Sequence, residues 1–237
     1  MNKKSLIIVQ IIIILALFGA LGYYFYNEYY VDSKNNNEQD QSVEPQLEFA
    51  VLKEGVGQEV IDIWQRDFQL AWQARKDSVD GFNMSAWLTL GHILRQAENY
   101  EEAIKAYNYV SYMRPKNSPS FYSLGIIYSS DAYQDWQQAE KNYLIAMSNQ
   151  PDDLDYIQSL YELYRFKYKE KKYLADDVLL EGLEKNPDNE FLLALLANYY
   201  ENEGEKGKAR EYYLKVLEVN PENSGAERAL DRLLIIN

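Results

Sequence analysis

The sequence predicts an all-α protein: a solenoid of helical hairpins, about four repeats with a capping helix at each end, behind a single N-terminal transmembrane helix. Three observations carry this expectation. An apolar run opens the chain, a set of eight positions recurs with identical internal spacing, and a proline beside polar capping residues closes each recurrence.

The run from Leu6 to Tyr26, LIIVQIIIILALFGALGYYFY, is apolar apart from Gln10 and a few small residues. At 1.5 Å rise per residue, about 20 residues cross a hydrocarbon core, so residues 6–26 are expected to span a membrane. Lys3 and Lys4 precede the run, whereas Glu28, Asp32, Glu38 and Asp40 follow it against Lys34 alone. The positive-inside rule then places residues 1–5 in the cytoplasm and the remainder on the extracytoplasmic side, whether periplasmic, external or lumenal. Tyr23, Tyr24, Tyr26, Tyr29 and Tyr30 suit the headgroup layer at the exit. A cleaved signal peptide, with Ala20 and Gly22 at the cleavage site, is the competing reading. It requires a longer and more aromatic apolar core than such peptides carry. Gln10, Ala16 and Ala20 could form a helix-pairing face and make the protein a homo-oligomer.

All 37 acidic residues lie beyond the apolar run, and the formal net charge is −13. Such a balance argues against nucleic-acid binding, which requires phosphate neutralisation. The chain has no cysteine and a single histidine, His92. That excludes disulfides and thiolate chemistry and leaves no usual metal constellation, so no metal, cofactor or catalytic group is expected. The acidic pairs Asp152 with Asp153 and Asp176 with Asp177 read as solvated helix starts. No glycine-rich phosphate loop and no calcium-loop spacing is present.

After the apolar run, residues 27–57 read as a polar tether. Its centre, Asp32–Gln46, has one aliphatic residue and no aromatic, too little to order itself. Residues 58–83 read as an N-terminal capping helix, because Val60, Ile61, Trp64, Phe68, Ala71 and Trp72 recur at three- and four-residue spacing.

The recurrence follows. Trp87, Leu90, Gly91, Leu94, Ala103, Tyr107, Val110 and Pro115 match Leu193, Leu196, Ala197, Tyr200, Ala209, Tyr213, Val216 and Pro221 in every spacing. These residues resemble the tetratricopeptide repeat (TPR), a unit of about 34 residues with large, small and aromatic positions in this order. Residues 84–117 and 190–223 are regular units. Between them, residues 118–153 carry Phe121, Leu124, Gly125, Tyr128, Ala139, Tyr143, Ala146 and Pro151. Residues 154–189 carry Ile157, Leu160, Tyr161, Tyr164, Ala175, Leu179, Gly182 and Pro187. Both are two residues longer, with the excess placed at SSDAYQDW and RFKYKEKK, where a turn is expected to absorb it. The third unit is degenerate, because Tyr161 stands where the pattern wants a small residue and should push its helices apart. Ser118 before Pro119, Asn99 with Glu102, and Ser224 with Glu227 read as helix starts. Residues 224–237 read as the closing helix.

The resemblance implies a groove lined by the first helix of each unit, here Leu88, His92, Arg95, Tyr122, Ile126, Ser129, Gln158, Glu162, Arg165, Phe191, Ala194 and Asn198. It implies a protein or peptide partner. Chaperone-tail-binding relatives use lysine, asparagine and arginine to clamp a carboxylate. The matching positions here hold Leu88, His92, Ser123, Asp155 and Ser159, so that clamp is absent. Lys167, Lys169, Lys171 and Lys172, beside Arg165, form the one basic cluster and read as either a solvated face or a docking patch for an acidic segment. Asn83-Met84-Ser85 is a glycosylation sequon, with Asn83 expected instead to cap the following helix. The function expected is a membrane-anchored interaction scaffold or assembly factor. The alternatives are a self-associating structural membrane protein, a secreted repeat protein after signal cleavage, and an enzyme accessory subunit.

Overall fold

The structure, a computed structural model, describes residues 43–235. Residues 1–5, the predicted transmembrane segment 6–26, most of the tether and the last two residues lie outside the described residues. Among the described residues no helix is long and apolar enough to cross a membrane.

Residues 45–237 form one compact unit, and its described part contains ten α-helices and no strand. The first is α1 (Gln58–Ala74). Then come four hairpins: α2 (Met84–Gln96) with α3 (Tyr100–Met113), α4 (Ser118–Tyr128) with α5 (Trp136–Asn149), α6 (Leu154–Glu162) with α7 (Ala175–Lys185), and α8 (Glu190–Asn202) with α9 (Lys206–Val219). Finally α10 (Ser224–Ile235) closes the series. Each hairpin packs on the next, with α3 against α4, α5 against α6, α7 against α8 and α9 against α10, while α1 covers α2. The architecture is an all-helical TPR-like solenoid.

The repeating spacings become packing in two ways. Small residues let the helices of a hairpin touch. A Cβ added to Gly91 would stand 2.7 Å from Tyr107 Cε1, and one added to Gly125 would stand 2.5 Å from Tyr143 Cδ1. Large residues fill the space between hairpins: Trp87, Leu90, Leu94, Ile157, Leu160 and Leu196 are almost wholly buried. Two apolar clusters result, one running from α1 to α4 and the other from α4 to α10. Burial of each such side chain contributes on the order of 2 kcal/mol.

Helix starts follow a rule in which the cap lies one residue ahead of the expected Ser118 and Ser224. Pro115, Pro151, Pro187 and Pro221 each fall two residues beyond the last helical residue. The residue two places after each proline is Asn117, Asp153, Asn189 or Asn223. Each accepts a hydrogen bond from a backbone N–H of the next helix, at Ser120, Tyr156, Leu192 and Ala226 respectively. Asn117 and Asn223 are therefore the caps, not Ser118 and Ser224. Asn83 caps α2 through Ala86 N–H, as expected. Asn99 and Glu102 do not form a capping box. The Asn99 amide donates to Glu48 O, and Glu102 accepts from Glu48 N–H.

That last pair shows where the tether ends. Residues 45–53 belong to the folded unit: Leu47 is buried, Phe49 packs on Phe68 at 5.4 Å, and Leu52 N–H donates to Ala97 O at 2.8 Å. The N-terminal cap is also shorter than residues 58–83. Its helix stops at Ala74, and a turn with Gly81 at φ 71° carries the buried Phe82 back to α2. Asp80 secures this turn, accepting from Ser78 Oγ, Phe82 N–H and Arg114. These donors hold its carboxyl down at about 2.

The two insertions fold differently. In the second unit, Ser129–Asp135 forms a turn with Gln134 at φ 51°, and Asp135 caps α5. In the third, α6 runs into a π-helical turn, Leu163–Lys167, followed by a 3₁₀ segment, Lys169–Leu174. Tyr161 is buried there, and its partner position holds Leu179 rather than an aromatic.

Candidate functional site

The first helices α2, α4, α6 and α8 carry a continuous polar and aromatic face. Tyr122 on α4 and Ser159 on α6 join through their hydroxyls at 3.2 Å, and the Tyr122 ring lies 4.7 Å from that of Tyr156. Gln158 donates to Glu162 at 2.7 Å on the same helix. Beyond α6, Arg165 pairs with Glu203, and its guanidinium lies 4.9 Å over the ring of Tyr199 on α8. Asn202 donates to Asn198. On α2 the guanidinium of Arg95 reaches His92 Nδ1 at 3.4 Å. Burial pushes the Tyr107 pKa up, and the neighbouring Ser123 hydroxyl and Arg95 guanidinium oppose that rise in part.

The predicted groove residues separate into three groups. His92, Glu162, Phe191 and Asn198 are exposed, and Phe191 is 44% accessible. Arg95, Tyr122, Gln158 and Arg165 are half-buried and offer polar atoms. Leu88, Ile126 and Ala194 pack partly against the cores. Ser129 departs from the expectation. It is buried, with its hydroxyl 3.0 Å from Tyr143 and its carbonyl accepting from Lys167, so it braces the hairpin instead of lining a groove. Desolvation first, and then the charge of Arg95, lower the His92 pKa, which favours a neutral imidazole.

The basic cluster is mostly tied into the fold. Lys171 pairs with the buried Glu140 at 2.6 Å, which also accepts from Tyr164 OH. Lys172 and Arg165 converge on Glu203, and Lys167 binds the Ser129 carbonyl. These cations lock the π/3₁₀ segment onto the hairpins on either side, and Lys169 is the one left exposed without such a bond among those described. A sequence run cannot reveal this, because its acids lie about 30 residues away on either side.

Sequence reasoning missed Glu203 beside this face and the buried Tyr107, Tyr156 and Tyr199 beneath it. Glu203, Tyr156 and Tyr199 sit beside groove residues only after the hairpins stack. An open cleft of about 790 Å³ also lies on the second helices, between Leu180, Leu183 and Pro187 and the α9 residues Tyr212, Lys215 and Val219. No group of three or more acids or histidines able to hold a metal occurs among the described residues.

The fold is that of a TPR-like solenoid. The family model of the tetratricopeptide repeat matches residues 85–117 and 192–223, the first and fourth hairpins. Among solved structures, one of the protein MamA is 20% identical, covers 64% of this chain and 81% of its own, and superposes with a TM-score of 0.50. The structure of YrrB, described as a TPR protein with an unusual peptide-binding site, is 17% identical, covers 71% of this chain and 82% of its own, and also scores 0.50. Both likenesses concern the fold. No curated protein matches this chain in sequence.

Proposed function

We propose that this chain is an interaction scaffold that holds a segment of a partner protein along α2, α4, α6 and α8, and is anchored to a membrane by residues 6–26 with the solenoid on the extracytoplasmic side. One observation carries the binding reading. The face combines exposed aromatic surface at Phe191 with polar atoms at His92, Arg95, Tyr122, Gln158 and Asn198, the mixture that grips an extended or helical segment. A peptide-binding site in the similarly folded YrrB supports it. No catalytic role is proposed, since the face offers no nucleophile beside a base. Anchoring would raise the effective concentration of the groove for membrane-bound partners.

A photo-crosslinking side chain at His92 or Phe191, compared with one at exposed Arg210 on α9, tests the binding reading in intact cells. One partner captured from the first two positions and absent from the third is the expected result. Equal capture from all three overturns groove binding. Self-crosslinks alone would favour the second reading, a self-associating structural protein. Protease protection of a C-terminal reporter in intact cells would overturn the outward orientation.

A further inference from the structure

A second surface lies on the second helices, apart from the face just described. The open cleft between α7 and α9 has an apolar lining: Leu193 of α8 is buried, Leu180, Leu183 and Tyr212 are half-buried, and Val219 at the end of α9 is 40% accessible. The repeat register sets this junction apart. At the positions of Leu180 and Leu183, α3 holds Asn108 and Ser111, and at the positions of Tyr212 and Val219, α5 holds Asn142 and Asn149. Between α5 and α7, Met147 and Val178 are buried already, and Lys185 stands at the position of Val219. Only the α7–α9 pair carries apolar side chains at all four positions.

The border of the cleft is acidic. Glu184, Asp188 and Glu218 are exposed beside the apolar lining. The one cation of that lining, Lys215, is engaged by Glu211 at 2.7 Å, with its ammonium 4.4 Å from the centre of the Tyr212 ring. An accessible apolar cleft between two helices, bordered by carboxylates in excess, suits an occupant that is apolar at its centre and cationic at its edges.

We infer that the cleft between α7 and α9 docks a short segment of a partner protein in which apolar side chains are flanked by Lys or Arg. The apolar side chains lie against Leu183, Tyr212 and Val219, and the flanking cations meet Glu184, Asp188 and Glu218. Charge decides between this occupant and two others. An anionic lipid surface would be repelled by the carboxylates, and a second copy of this chain, with a formal net charge of −13, would bring like charge to them. A basic segment gains from the border of the cleft and from the field of the whole acidic chain.

The test is a display selection of random 12-residue peptides on the full chain in detergent. Peptides are retained if binding is lost in the floor variant Leu183→Gln with Val219→Gln, or in the rim variant Glu184→Gln with Asp188→Asn and Glu218→Gln. The rim variant alters exposed carboxylates alone, so it serves even where the floor variant melts early. The expected result is retained peptides that share an apolar centre with Lys or Arg on either side. Synthesised, they should bind the rim variant about ten- to hundredfold more weakly, with the difference shrinking as salt rises. A charge-matched control, Glu54→Gln with Glu59→Gln and Asp62→Asn, should change binding little, and Phe191→Glu on the other face should leave it unchanged. If no peptide depends on the cleft, if the retained peptides lack Lys and Arg, or if control and rim variants lose affinity equally, the docking site is overturned. Peptides that match residues 3–8 of this chain would assign the cleft to the chain's own start. Dimers of the parent that separate in Val219→Gln, seen by sedimentation, would assign it to a second copy. Either result overturns the partner reading and leaves the face of the first helices untouched.

Discussion

In the second hairpin Gly125 lies against the ring of Tyr143, so closely that a Cβ would fall 2.5 Å from it. In the third hairpin the same two positions hold Tyr161 and Leu179. The second hairpin is held by a backbone-to-ring contact that a Cβ at Gly125 would not allow. The irregular unit keeps the burial but gives up that contact. Its chain leaves α-helical geometry for a π turn and a 3₁₀ segment, and four cations from this stretch grip the neighbours at Glu140, Glu203 and the Ser129 carbonyl. The difference teaches that one repeat pattern can be maintained by steric fit in one place and by charge in another.

The sharpest way to break the comparison is at Glu140, 5% accessible at its side chain and shared by Lys171 and Tyr164. Glu140→Ala removes the buried carboxylate that an ammonium and a phenol share, so a loss of about 3 kcal/mol in urea unfolding is expected. Salt should erode this contribution less than it erodes exposed pairs. The steric side is tested by Gly125→Ala. The Tyr143 ring is buried and its hydroxyl is held by Ser129, so it yields poorly, and about 1–3 kcal/mol of overpacking is expected. Gly182→Ala should cost less, because its close neighbours at 3.0 Å are the branch ends of Ile157. Equal losses at Gly125 and Gly182 would show that the third hairpin is as tightly fitted as the second.

Smaller effects sharpen the boundaries. Asn117→Ala should cost about 1 kcal/mol in thermal melting by removing the cap of α4, and Ser118→Ala should leave that cap in place. The mildest effect is at Asp80, whose carboxyl is lowered from 3.8 to about 2. A carboxylate with a depressed folded-state pKa stabilises fully above its unfolded value. The contribution is then lost as pH falls from 3.8 towards 2. Asp80→Asn should therefore lose stability at neutral pH and show a flatter acid-unfolding profile, measured by circular dichroism between pH 5 and 2. Because Asp80 is at the surface, the effect should be small and salt-sensitive.

The solenoid was legible in the sequence because its determinants are local and periodic. Gly91 with Tyr107 and Ala197 with Tyr213 recur at fixed spacing, and the proline positions punctuate them. The end of the tether was not legible, since Leu47 and Phe49 are ordered by Ala97, Asn99 and Phe68, residues far along the chain. Much of the candidate face could be listed from the repeat register, yet the register could not separate Arg165, bound to Glu203, from Arg95, which meets no acid. Ser129 was misplaced for the same reason: the buried Tyr143 hydroxyl that holds it sits on another helix.

By itself the sequence determined the helix count of the solenoid, the closing prolines, the close-packed glycines and the acidic surface, because each depends on residue size, backbone freedom or charge at a fixed interval. Only the tertiary structure decided how the third hairpin absorbs its extra residues, and which acids tie down the cations of that stretch. Those outcomes depend on distances between groups about 30 or more residues apart, and packing sets such distances where spacing along the chain does not.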